Sequence, residues 1–130
     1  MIKDKKTNFD LEERTSHFSL EVISFLNKIQ RTPITTPLIV QLMRSATSVG
    51  ANYAEANNAY SRADFKHKIS ICRKEAKESV YWLRMFGSID SCNKDLARKL
   101  EMEAHELNLI FNSIILKVEQ NNIVKKLVIT

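Results

Sequence analysis

The sequence predicts an all-α fold: one domain built as an up-down-up-down antiparallel four-helix bundle. Apolar residues recur at three- and four-residue intervals in four successive segments. The 130 residues include only two glycines and two prolines, too few to punctuate a sheet. The connections between the periodic segments are short, which in an all-helical chain makes sequence neighbours antiparallel. A chain of this length builds one core, and no solenoid-period repeat or low-complexity segment interrupts it.

The first helix is expected over 10–30. Asp10 offers an N-cap, with Glu13 at capping-box spacing, and Leu11, Phe18, Val22, Phe25, Leu26 and Ile29 form its apolar stripe. "RTPITTP" ends it, and Thr36 before Pro37 supplies the N-cap and first-turn residue of a second helix over 37–57. Leu38, Leu42, Ala46, Val49 and Tyr53 line one face of that helix. Ser61 and Asp64 open a third over 62–86, carrying Phe65, Ile69, Cys72, Ala76, Val80 and Leu83, with Gly87 as its C-terminal cap. The fourth, over 93–119, is built on Leu96, Leu100, Leu107, Ile110, Phe111, Ile114 and Val118. The tail 120–130 reads two ways, as an extension of the fourth helix or as an extended apolar segment docked on a neighbour.

Helix two is unusual because "QLMRSATSVGANYAE", Gln41 to Glu55, has only Arg44 and Glu55 as charges. Rotating roughly 100° per residue puts Arg44, Ser48, Asn52 and Glu55 on a face away from the core stripe, and the small Thr47, Gly50, Ala51 and Ala54 fill much of the rest. A glycine in a helix interior costs about 1 kcal/mol against alanine, so Gly50 predicts the close approach of another backbone. Helix three gathers Ile71, Glu75, Glu78 and Trp82 on its second face. Arg44 is the expected counter-charge for Glu75 or Glu78, in a buried pair that sets helix register or subunit orientation because breaking such a pair costs about 3 to 5 kcal/mol. Asn52 and Glu55 share that face, and the scarcity of charge predicts contact with a second copy of the chain.

Hydrophobic residues at 44% and charged residues at 27% describe a globular protein. A net charge of +5 favours anionic partners. On helix three Lys66, Arg73, Lys77 and Arg84 align in one stripe, a candidate surface for the phosphates of RNA or DNA, read through the backbone with weak sequence preference. The same residues also make an ordinary solvated helix face. Leu20, Ile23, Met102, Leu109 and Leu116 lie off the core stripes and could line a subunit interface or a groove for a protein partner. Cys72 and Cys92, without paired spacing, read as reduced thiols. No signal peptide or membrane span is visible, so the expected location is the cytoplasm.

No enzymatic site emerges. Di-iron bundles need Glu-x-x-His pairs, and none of His17, His67 and His105 has a glutamate three residues before it. Glu101 and His105, one turn apart, are better read as a surface pair than as metal ligands. Phosphate-cradling loops need more glycine than the chain has. No cofactor and no metal is expected.

Two stretches, "QLMRSATSVGANYAEA" and "SRADFKHKISICRKEAKESVYWLRM", resemble the four-helix-bundle family of 23S rRNA intervening sequence proteins. Gln41, Leu42, Arg44, Ser45, Ala46, Ser48, Val49, Asn52, Ala54 and Glu55 carry the first match. Asp64, Phe65, Lys74, Glu75, Ala76, Glu78, Ser79, Tyr81, Trp82 and Leu83 carry the second. Ala56 stands where the family usually has glycine, and Tyr53 replaces a smaller aliphatic residue. The resemblance implies a bacterial protein without established enzymatic activity, often encoded within insertions in 23S rRNA genes. Through the related accessory protein of diversity-generating retroelements, a basic pentameric barrel, it also implies a homopentameric ring. In such a ring the basic stripes would repeat around the assembly.

Overall fold

The computed structural model describes residues 8–129, with side chains from 11 to 128. The chain forms α1 (Asn8–Leu26), α2 (Thr35–Asn57), α3 (Arg62–Ile89) and α4 (Lys94–Ile129), and no strand occurs among the described residues. Each helix packs on the next and α1 closes against α4, whereas the backbones of α2 and α4 do not approach one another. The beginnings of helices meet the ends of their neighbours. Asn57 Nδ2 donates to Glu12 Oε1, Lys68 pairs with Glu55, and Lys66 pairs with Glu119.

The apolar stripes meet in one core. Phe18, Val22 and Phe25 of α1, Leu42, Ala46 and Val49 of α2, Ile69, Cys72, Ala76 and Leu83 of α3, and Leu100, Leu107 and Phe111 of α4 are all buried. Phe25 and Phe86 meet edge to face with ring centroids 5.7 Å apart, the arrangement that the aromatic quadrupole favours. Buried polar groups are few and satisfied. Ser45 Oγ and Ser79 Oγ lie 2.9 Å apart across the α2–α3 contact, and each also has a backbone acceptor on its own helix, Leu42 O and Glu75 O.

The helix ends depart from expectation in four places. α1 ends at Leu26 rather than at residue 30. Asp10 lies inside α1, which begins at Asn8, and its side chain falls outside the described residues. Thr36 does not cap α2. The helix starts at Thr35, and Thr32 Oγ1 accepts from the amides of Ile34 and Thr35 while Thr35 Oγ1 donates to Gln30 O. Two threonines three residues apart close the turn ahead of the proline, so Pro37 needs no cap of its own. Gly87 is not a cap either: α3 continues to Ile89, no glycine has a positive φ, and Gly87 is buried beneath the Arg98 guanidinium. Asp90 makes the turn instead, its Oδ1 accepting from the amides of Cys92 and Asn93. At α3 the expected start is present, with Ser61 Oγ accepting from the Asp64 amide. The stretch 120–129 continues α4 as helix.

Gly50 faces the backbone of Thr15 on α1, yet a methyl group there would meet Thr15 C and O at 3.5 Å, ordinary contact. The packing inside the chain therefore leaves room for alanine. Gly50→Ala is expected to raise the unfolding free energy by up to about 1 kcal/mol, and a lower urea midpoint would show that the glycine is needed for packing. For the serine pair, Ser45→Ala or Ser79→Ala alone is expected to cost about 1 kcal/mol, with the double variant costing less than the sum. Strict additivity in that cycle would mean that the hydroxyls do not interact.

Candidate functional site

The stripe expected along α3 is only partly available for an anion. Lys66 Nζ lies 2.9 Å from Glu119 Oε2, and Arg84 Nε lies 3.3 Å from Glu101 Oε2, so α4 supplies a carboxylate at each end. The middle remains basic. Arg73 Nη1 donates to Asn112 Oδ1 at 2.9 Å, and Asn108 Nδ2 donates to Arg73 O. The first bond ties the guanidinium to α4 without neutralising it, and the second ties the Arg73 backbone to the same helix. Lys77 is exposed and makes no ion pair among the described residues, as is also true of Lys74. Arg73, Lys74, Lys77, Tyr81 and one carboxylate, Glu78, line a groove of about 650 Å³ that Asn108, Leu109 and Asn112 close from the α4 side. The reading of a single stripe missed Lys74, although it precedes Glu75 directly and a groove-centred view of α3 would have included it.

The group expected to set register is dispersed. Arg44 is exposed and its side chain makes no ion pair or hydrogen bond among the described residues, so the buried pair of Arg44 with Glu75 or Glu78 does not form within the chain. The reason is rotational. Ser45 occupies the α2–α3 contact opposite Ser79, and Arg44, one residue earlier, is turned roughly 100° away from it. Glu78 Oε2 instead accepts from Trp82 Nε1 at 3.1 Å. Asn52 Nδ2 donates to Ser48 O on its own helix, and Glu55 Oε1 pairs with Lys68 at 2.6 Å.

Sequence reasoning missed the contact that joins the two terminal helices. Arg14 of α1 grips Glu103 of α4 with two hydrogen bonds, Nε to Oε2 at 2.8 Å and Nη2 to Oε1 at 2.9 Å, and also reaches Glu106. The bond from Glu103 is the main reason its guanidinium pKa is raised. The paired residues lie 89 positions apart, and nothing local signals their meeting. Cys72 is core: burial pushes its thiol up to about 12, and Sγ donates to Val49 O, which removes it as a nucleophile at neutral pH. Among the described residues no group of three His, Cys, Asp or Glu side chains could hold a metal ion.

Burial, and then the Glu78 carboxylate, raise the Glu75 carboxyl above the ordinary glutamate range, with Lys74 and Arg44 opposing. A carboxyl raised in this way binds its proton more tightly when folded, so stability is lost as pH rises through that range. Glu75→Gln is therefore expected to raise the melting temperature at about pH 7 and to change it little at about pH 4. An equal effect at both values would remove the buried charge as the cause.

The chain matches the family described as 23S rRNA-intervening sequence protein over residues 7–113. It is similar to a crystal structure of a protein with unknown function from the S23 ribosomal protein family of Bacteroides thetaiotaomicron. The two share 32% identity at a TM-score of 0.70, over 80% of this chain and 96% of that one. No curated protein matches the sequence. Neither the family description nor the structural neighbour names a catalytic activity. Matched across helices α1 to α3 and more than half of α4, the chain belongs to the 23S rRNA-intervening sequence protein family.

Proposed function

We propose that this chain is a non-enzymatic assembly protein, a four-helix bundle that works as an oligomer. The observation that carries the proposal is the outward face of α2. Val40, Met43, Thr47, Ala51 and Ala54 follow one another along the side facing away from the core, with Arg44 as the nearest charge. A helix whose solvent side is this poor in charge matches a surface that another protein covers. The meeting of helix starts with neighbouring ends supports an up-down-up-down arrangement, and the family resemblance makes a ring of five the expected closure. Both cysteines are free, and no helix among the described residues is long and apolar enough to cross a membrane. Free thiols suit the cytoplasm.

A second reading, contact with RNA or DNA phosphates, is favoured by one feature: the groove where Arg73, Lys74 and Lys77 lie together with Tyr81. Several such grooves on one assembly would act in concert. The competing role, a scaffold that binds a protein partner without nucleic acid, uses the same oligomer.

Size-exclusion chromatography with light scattering tests the assembly. The expected result is a mass of several copies, and a single-copy mass overturns it. Filter binding to duplex DNA then tests the groove. Replacing Lys74 and Lys77 with alanine is expected to reduce the slope of log affinity against log salt by about 2. No retention of the wild-type protein at low salt would eliminate the nucleic-acid reading.

A further inference from the structure

We propose that copies of this chain join head to tail, the outer face of α4 on one copy seating against the outer face of α2 on the next. The inference rests on the oligomer proposed above and names its two surfaces.

The α4 surface is a row of large apolar side chains at strict seven-residue spacing. Met102, Leu109, Leu116 and Ile123 are 69, 53, 56 and 58% exposed. They point away from the core positions Leu100, Leu107 and Phe111 on the same helix. None of them is buried among the described residues. A seven-residue repeat drifts only about 20° per heptad around a helix, so the row stays on one side and suits another helix lying alongside.

The α2 surface is complementary in shape, length and charge. Its outer side is built from Thr47, Ala51 and Ala54, with Val40 and Met43 at one end, and small side chains leave hollows that long ones can fill. Met102 to Leu116 and Val40 to Ala54 both cover about 21 Å at 1.5 Å per residue. Laid parallel, the two faces bring Arg44, whose side chain makes no ion pair among the described residues, to the level of Glu103 and Glu106, which Arg14 also holds within the chain. The same alignment brings Glu55 to the level of Lys117, which is exposed and likewise makes no ion pair among the described residues. The reverse orientation places Arg44 at the level of the uncharged Asn112 and Glu55 at the level of Glu101, beside Glu103.

The α2 and α4 backbones sit apart within the bundle, so the two faces belong to different sides of one molecule. A contact between unlike faces repeats from copy to copy and closes into a ring when the rotation allows. Pairing α4 with α4 would instead set leucine against leucine and leave α2 uncovered.

The test uses two full-length variants, Ala51→Glu on α2 and Leu109→Glu on α4. Both positions are exposed, and circular dichroism with thermal melting checks that each variant is folded. Light scattering is expected to give single-copy mass for each variant alone. An equimolar mixture at high concentration is expected to give two-copy mass, because the intact α4 face of the first meets the intact α2 face of the second. If either folded variant assembles like the wild type, or the mixture stays at single-copy mass, the assignment is overturned while the oligomer stands. Single-copy mass for the wild type itself would overturn both.

Discussion

The close seating of α2 on α3 decides where most other side chains point. At its centre two buried serines stand face to face, Ser45 and Ser79, flanked by the buried Ala46 and Ala76. Small residues on both helices allow a short separation, and one hydroxyl donating to the other, which donates to a carbonyl of its own helix, removes the usual cost of burying polar groups. Further along the same contact the Cys72 thiol donates to the carbonyl of Val49. With the two helices held at this rotation, Arg44 has no route inward. Glu75, one turn before Ser79, is left at the rim, half-buried with its carboxyl shifted upward. The charge-poor outer face of α2 follows from the same rotation.

The core was legible because burial depends on period alone. Leu42, Ala46, Val49 and Tyr53 recur at three- and four-residue steps, and all four are buried. Small core residues were harder to see. Ala97 and Ala104 are fully buried, but alanine is common on both sides of helices and carries no signal by itself. Helix ends were less legible for a different reason. Thr32 and Thr36 are equally good caps by composition, and the choice between them depends on how the turn from Gln30 to Thr35 closes. Gly87 looked like a terminator because glycine often ends helices. Here its missing side chain makes room for Arg98 arriving from α4.

Surface charge was the least legible property. A rotation of roughly 100° per residue correctly places Lys66, Arg73, Lys77 and Arg84 on one side of α3. It cannot reveal what the neighbouring helix brings to that side, and α4 brings Glu101 and Glu119 to its two ends. The net positive charge thus overstates the anion-binding potential of this helix and says nothing of where it survives. The same limit applies to Arg14, whose partners lie on the far helix and complete the closure of α1 on α4.

α4 carries two apolar patterns at once. The inner one, through Leu100, Leu107 and Phe111, is required by the bundle. The outer one, through Met102, Leu109, Leu116 and Ile123, is not, because a helix in a bundle that stays alone gains nothing from apolar side chains on its water-facing side. Scattered exposed leucines are unremarkable in any protein, but a repeat of seven sustained across Met102 to Ile123 is not scatter. The helix is also longer than its neighbours, at 36 residues against 23 for α2 and 28 for α3. Its last two turns hold Ile123, Val124, Leu127 and Val128, all exposed. In the proposed assembly, folding and self-association draw on separate rows of the same helix. A change in the inner row disturbs both, whereas a change in the outer row can alter assembly while leaving the bundle intact.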